Sequence, residues 1–383
     1  MDNFIPYGRQ WIDEADVKAV EVALRSSHLT QGPAIEKFEG LIKKITGAKY
    51  CVAVSSATQG LHIAVTSLEV GEGWEGITTP ITFVASANCL VTNGLVPVFA
   101  DIAPTTYNIA PIEIEKKITP NTKVIIPVDF AGQAVDIDAI RQIADRHALF
   151  IIEDAAHAMG SNYADGKPVG CCHKSDMTVF SFHPVKTVTS GEGGAITTNN
   201  EALYKRLLKL RTIGITKDER ELSENPGPWY YEMQSLAGNN RMTDIQAALG
   251  HSQLSKLSMF KKRRREIVDM YNEAFKNRPN LTIPYEDDRM DTCFHLYVLQ
   301  LDFGKIGKSR KQVMEELRQK GIGTQVHYIP VNSQPYYVGK YGKYRGEEYP
   351  VTESYYDKCL SIPLYPMMSD GDIKRVIQAV YAI

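Results

Sequence analysis

Apolar residues recur at helical spacing from the start of the chain. Val17, Val20 and Leu24 form one stripe behind a capping Asp13, and Ile35, Phe38, Leu41, Ile42 and Ile45 form a second. A short apolar run over 51–54 predicts a strand, and Leu61, Val65 and Leu68 predict the helix after it. Further runs predict strands over 95–99, 124–128 and 149–152, with a helix over 137–147 between the last two. Strands separated by helices require crossover connections, which makes the sheet mostly parallel. Runs over 177–182 and 194–198 predict two more strands close in sequence. Beyond about residue 245 the pattern changes to one long helix over 243–275, a strand over 295–301, a helix over 308–320 and a strand over 324–327. The Tyr- and Pro-rich stretch 328–350 reads as an ordered loop. The expected organisation is a large α/β domain over 1–245, then a connecting helix and a smaller C-terminal α+β domain over 246–383.

Composition narrows the class. The chain has 383 residues, 43% of them hydrophobic, enough for about two domains of ordinary size. Its 43 basic and 45 acidic residues leave a net charge of −2, so no basic field exists to hold nucleic acid. No apolar run reaches the length that spans a bilayer, and no membrane partner is expected. Residues 1–20 show no signal-peptide core, and the six cysteines are scattered apart from Cys171 and Cys172. A reduced, cytoplasmic chain is expected.

Several strings imitate known motifs without their context. Asp302-Phe303-Gly304 lacks the glycine loop and catalytic loop of a kinase, and Gly307-Lys308-Ser309 lacks the first glycine of a P-loop. Cys171, Cys172 and His173 lack the second ligand pair of a zinc site, so no metal is expected. The basic run Lys261 to Arg265 reads as a solvated helix face.

Four other segments converge on one chemistry. Ser181-Phe182-His183-Pro184-Val185-Lys186 precedes Gly191-Glu192-Gly193-Gly194. This places a lysine just past a buried strand, where desolvation lowers an amine's pKa and suits it to Schiff-base chemistry. In Ile151-Ile152-Glu153-Asp154-Ala155-Ala156-His157 a carboxylate follows an apolar strand, at the edge where open parallel sheets bind ligands. Such a carboxylate could hold a proton on a pyridine nitrogen; the plainer alternative is a helix cap. Ser55-Ser56-Ala57-Thr58-Gln59-Gly60 lies between strand and helix and suits a phosphate cradle. Phe83 in Pro80-Ile81-Thr82-Phe83-Val84-Ala85 offers a face for a planar ring, or a core position. An amine, a ring-nitrogen partner, a phosphate cradle and a stacking face are the protein's contributions to a pyridoxal phosphate site.

These segments, with Thr30-Gln31-Gly32-Pro33 and His327-Tyr328-Ile329-Pro330, resemble the DegT/DnrJ/EryC1/StrS family of sugar aminotransferases across nearly the whole chain. The resemblance implies the type I (aspartate aminotransferase) fold and pyridoxal 5'-phosphate bound covalently to Lys186. It implies Asp154 at the ring nitrogen, His157 beside the ring, where relatives carry Gln or His, and Ala57, Thr58 and Ser181 at the phosphate. Asn239, in Leu236-Ala237-Gly238-Asn239-Asn240-Arg241-Met242, matches a residue that relatives extend into a partner subunit's site, although the flanking Ala237, Gly238 and Asn240 depart from the family pattern. A homodimer with shared active sites is the implied assembly. Tyr7, Ser27, His28, Leu29, Thr30, Gln325, Val326, His327 and Tyr328 match substrate-lining segments, together with Ala57, Ser181 and Asn239. The implied reaction moves an amino group from L-glutamate to C4 of a UDP-linked 4-keto-6-deoxy-N-acetylhexosamine, a step of pseudaminic acid biosynthesis, with His28 and His327 as expected donors to the diphosphate. The rival readings are another nucleotide-linked keto sugar, or a non-catalytic regulatory protein on the same fold.

Overall fold

The computed structural model describes residues 4–342 and 346–383. After helices α1 (Glu14–Leu24) and α2 (Pro33–Thr46), the chain alternates strand and helix: β1 (Tyr50–Val54), α3 (Ala57–Ser67), β2 (Glu75–Thr78), α4 (Ala85–Val91), β3 (Val96–Phe99), α5 (Pro111–Lys117), β4 (Thr122–Ile126), α6 (Ile137–His147) and β5 (Phe150–Asp154). β6 (Met177–Ser181), β7 (Gly194–Thr198) and α7 (Glu201–Arg211) follow. Among the described residues these strands form a seven-stranded sheet in the order β1-β7-β6-β5-β4-β2-β3. β7 runs against both of its neighbours, and the other pairings are parallel. The expected mostly parallel sheet is present, and helices cover both of its faces, as βαβ crossovers require. One face buries Phe38, Ile42, Phe180 and Phe182; the other buries Leu61, Val65, Leu90 and Leu207.

A second, antiparallel sheet joins β10 (Leu281–Thr282), β11 (Tyr297–Leu301) and β12 (Cys359–Ile362), after a two-residue ribbon of β8 (Ile215–Thr216) and β9 (Glu232–Met233). Its core holds Tyr271, Tyr297, Leu317 and Val376, and Ile5 from the start of the chain packs there too. No helix among the described residues is long and apolar enough to cross a membrane.

The structure corrects four expectations. The helix over 243–275 is two helices, α8 (Asp244–Leu254) and α9 (Leu257–Phe275). At the break Lys256 reaches back to Asp16 (2.6 Å) and Asp13 (2.8 Å), and Gln253 donates to the carbonyl of Trp11 (2.8 Å), which fixes the joint onto α1. α8 packs on α1 and α2, and Leu257 and Phe260 of α9 join the large-sheet core. The strand over 324–327 reduces to a single bridge between Gln325 and Ser361 of β12. The stretch 328–350 carries short helices, including Pro335–Tyr341, where Pro335 starts the helix and Tyr337 buries its ring; residues 343–345 lie outside the described residues. Arg264, in the expected solvated run, is 1% exposed and donates to the carbonyls of Phe294 (3.2 Å), His295 (3.3 Å) and Leu364 (3.0 Å).

The sheet topology brings five strand ends to one edge. Val54, Thr78, Asp154 and Ser181 end parallel strands there, and Gly194 begins the reversed β7 opposite Val54 and Ser181. A Cβ on Gly194 would stand 2.6 Å from the amide nitrogen of Ala57 and from the carbonyl carbon of Ser56. Only glycine lets the first turn of α3 sit this close to the sheet. Gly194→Ala is expected to destabilise the protein by about 1–3 kcal/mol through overpacking; unchanged stability in urea unfolding would show that this turn yields freely.

Candidate active site

A cavity of about 810 Å³ opens at this edge, walled by the strand ends, by α3 and α4, and by the segment around Gln325–Tyr328. Lys186 projects into it from the turn after β6. The residue is half-buried, and desolvation of the amine lowers its pKa to about 8 against the pull of Asp154. Asp154 ends β5 and is 4% exposed. Burial pushes its carboxyl up, while a hydrogen bond from Ser86 (2.7 Å), the amide of Ala156 (3.1 Å) and the charge of Lys186 pull it down. The bond from Ala156 closes a local turn and is not the helix cap foreseen as the plain alternative, since among the described residues no helix lies between β5 and β6; Asp154 faces the cavity that holds Lys186.

Opposite them, α3 presents its N-terminus. Ser56 caps the helix by accepting from Gln59 (3.2 Å), which leaves Ala57 and Thr58 at its head on the cavity wall. Ser181 lines the same wall and accepts from the amide of His183 (3.4 Å). Phe83 is 58% exposed, a large ring left uncovered at the cavity mouth, with its centroid 6.4 Å from that of Tyr328.

His157 is buried. Its Nδ1 accepts from the amide of Ala131 (3.3 Å) and its Nε2 lies 3.1 Å from the Tyr328 hydroxyl. Burial, with Lys186 and His327 nearby, holds it well below the ordinary histidine range, so the ring is neutral. His327 is neutral too: burial and Lys186 push it down to about 3, and its Nδ1 pairs with Ser361 (2.8 Å). Of the two ways a histidine could serve a diphosphate, as a cation or as an N–H donor, His327 keeps only the neutral N–H.

Tyr7, Gln325 and Val326 complete the wall. Ser27, His28, Leu29 and Thr30 are exposed and lie outside the cavity lining, tied to the start of α8 by the bridge from Thr30 to Thr243. Asn239 is also exposed and outside it. Sequence reasoning missed Ser86, the side chain that donates to Asp154, and its partner Thr82 (2.7 Å). It also missed His295, whose ring lies 4.5 Å from that of His157. Ser86 sits on α4, a short helix of small residues with no apolar stripe; the one available signal was Thr82 and Ser86 four residues apart.

These residues fit pyridoxal phosphate: a desolvated amine and a buried carboxylate share one cavity, and the space that a Cβ at position 194 would fill keeps a helix N-terminus at its edge. The sequence profile of the DegT/DnrJ/EryC1/StrS aminotransferase family matches residues 10–381. The chain belongs to this family. It is 41% identical over 380 residues to the spore coat polysaccharide biosynthesis protein SpsC of Bacillus subtilis, across 99% of this chain and 97% of that protein. Helicobacter pylori PseC, described as an aminotransferase involved in the biosynthesis of pseudoaminic acid, matches in structure with a TM-score of 0.91 at 31% identity, over 99% of this chain and 98% of that one. Spr1654 of Streptococcus pneumoniae, solved in its PLP form, matches with a TM-score of 0.90 at 30% identity, over 99% of this chain and 100% of that one. The protein is a pyridoxal-phosphate-dependent sugar aminotransferase with the type I fold.

The lowered amine pKa has a measurable consequence. Only the unprotonated amine attacks an aldehyde, so the rate at which apoenzyme captures pyridoxal phosphate should rise with pH through a midpoint near 8 and level off above it. Lys186→Ala should show neither this capture nor the visible absorption of the bound cofactor. A midpoint near the ordinary lysine value, or covalent capture by Lys186→Ala, would contradict the assignment.

Proposed function

We propose that this aminotransferase transfers the amino group of L-glutamate to C4 of a UDP-linked 4-keto-6-deoxy-N-acetylhexosamine, as in pseudaminic acid formation. The observation that carries the reading is the shared cavity of Lys186 and Asp154, continuous with the wall of Tyr7 and Gln325–Tyr328.

Bound pyridoxal phosphate supplies the electron sink that lets an amino group leave one carbon and join another. Ala57, Thr58 and Ser181 would hold its phosphate and Phe83 would cover its ring. Asp154 keeps a proton on the ring nitrogen; Ser86 and the amide of Ala156 orient the carboxylate for this. Lys186 is the residue that would hold the group covalently at this site. Its Nζ would accept the proton from the α-carbon of L-glutamate before the sugar enters. In the second half Nζ delivers a proton to C4 of the sugar. An amine whose pKa is near 8 both takes and gives a proton close to neutral pH, which a lysine near 10.5 does poorly.

Tyr7 and Tyr328 provide aromatic walls for the sugar, and the likeness to PseC supports a UDP-linked N-acetyl acceptor in pseudaminic acid biosynthesis. The higher identity to SpsC favours a second reading, a different nucleotide-linked keto sugar in polysaccharide synthesis. Incubating glutamate with UDP- and dTDP-linked 4-keto sugars, with and without a 2-acetamido group, and following products by mass spectrometry separates the two. The UDP-N-acetyl acceptor should react fastest; faster turnover of a dTDP-linked or non-acetylated sugar would support the second reading.

The active unit we propose is a homodimer with shared sites. Ser27–Thr30 and Asn239 match site residues yet lie off their own chain's cavity. The segment before Asn239 exposes Trp229, Tyr231, Met233 and Leu236 to solvent, an apolar surface that a second copy would cover. Sedimentation should show a dimer, and a fully active monomer would defeat this assembly.

A further inference from the structure

The hydrogen bonds around His157 have a fixed direction. The amide of Ala131 can only donate, so Nδ1 of His157 must carry a lone pair. A neutral imidazole with a lone pair on Nδ1 has its proton on Nε2. Nε2 therefore donates to the Tyr328 oxygen 3.1 Å away. The hydroxyl hydrogen of Tyr328 must point elsewhere, and among the described residues the hydroxyl has no second partner. Tyr328 lines the cavity, which leaves the cavity as the place for that hydrogen.

Ala131 cannot turn its amide away. Its carbonyl accepts from the amide of His295 (2.8 Å), and Gly132 beside it, at φ +105°, lies so close that a Cβ would stand 2.3 Å from the carbonyl oxygen of Cys293. Arg264 in turn grips the carbonyls of Phe294 and His295. The His295 ring backs that of His157, and its Nδ1, buried and without a partner, competes for neither of the two bonds.

We propose that Tyr328 donates its hydroxyl hydrogen bond to an oxygen of the ligand held in the cavity, and that His157 is the positioning residue that sets this direction. The acceptor is an oxygen of the cofactor ring or of the sugar. The inference rests on the aminotransferase reading of the cavity and not on which sugar enters it.

The test is Tyr328→Phe made in three backgrounds: wild type, His157→Gln and His157→Glu. Glutamine accepts from Ala131 through its oxygen and donates to Tyr328 through its nitrogen, so it preserves the direction. Glutamate only accepts, so it draws the Tyr328 hydrogen to itself. Loss of the hydroxyl should weaken ligand binding about tenfold in the wild-type and Gln backgrounds and have no effect in the Glu background. A change in the pyridoxal phosphate dissociation constant without sugar identifies a cofactor oxygen; a change in sugar affinity alone identifies the sugar. Equal effects of Tyr328→Phe in the Gln and Glu backgrounds, or no effect on either ligand in wild type, would overturn the proposal. Should the Glu variant not fold, the nitrogen-15 spectrum of His157 decides: neutral Nε2–H agrees, while Nδ1–H or a protonated ring overturns it. Failure of the wild-type protein to bind pyridoxal phosphate at all would instead remove the underlying reading.

Discussion

An ammonium and a carboxylate taken out of water each lose solvation, and each is pushed toward its neutral form. Lys186 and Asp154 feel this together: burial lowers the lysine and raises the aspartate, while each charge partly restores the other. The balance leaves the amine near pH 8, where it can act as nucleophile and proton carrier, and leaves Asp154 with donors from Ser86 and Ala156 that favour its ionised form. Had the lysine stood on an open surface, the same residue would be locked as a cation at neutral pH. The neutral histidines follow from the same exclusion of water.

The sheet builds that environment. Parallel strands gather their ends on one edge, so Asp154 and Ser181 both arrive there from neighbouring strands. The reversed β7 then supplies Gly194 at the one point where α3 needs an absent side chain. The C-terminal unit closes the cavity through Gln325–Tyr328 and His295. Arg264 holds that side by three carbonyls without a carboxylate partner, an arrangement in which a buried charge acts as a backbone clamp.

Much of this was legible in the sequence because the relevant signals are local. The helix Ile137–His147 has an unbroken amphipathic stripe and the strand Gly194–Thr198 follows a run of glycines; both were read at their observed bounds. Lys186 and Asp154 announced themselves as polar residues directly after apolar strands. What escaped depends on contacts distant in sequence. β2 was invisible because Glu75-Gly76-Ile77-Thr78 holds a single large apolar residue, and its glycine makes sense only once Leu90 of α4 is seen packed where its side chain would be. α4 has small residues all round, which hid Ser86 with it. The break between α8 and α9 is set by Asp13 and Asp16, far back in the chain, and the burial of Arg264 by carbonyls of two other segments. The placement of Ser27–Thr30 off the cavity carries no local mark at all.

The coupling between Lys186 and Asp154 can be measured directly. The pH midpoint for capture of pyridoxal phosphate by apoenzyme, compared between wild type and Asp154→Asn, reports how far the carboxylate supports the ammonium. With the negative charge gone and burial unchanged, only desolvation acts on the amine, so the midpoint should fall below the value of about 8 held by wild type. A midpoint that stays where it was, or moves upward, would show that Asp154 does not share a low-dielectric cavity with Lys186, and the account of the site built on that pair would fail.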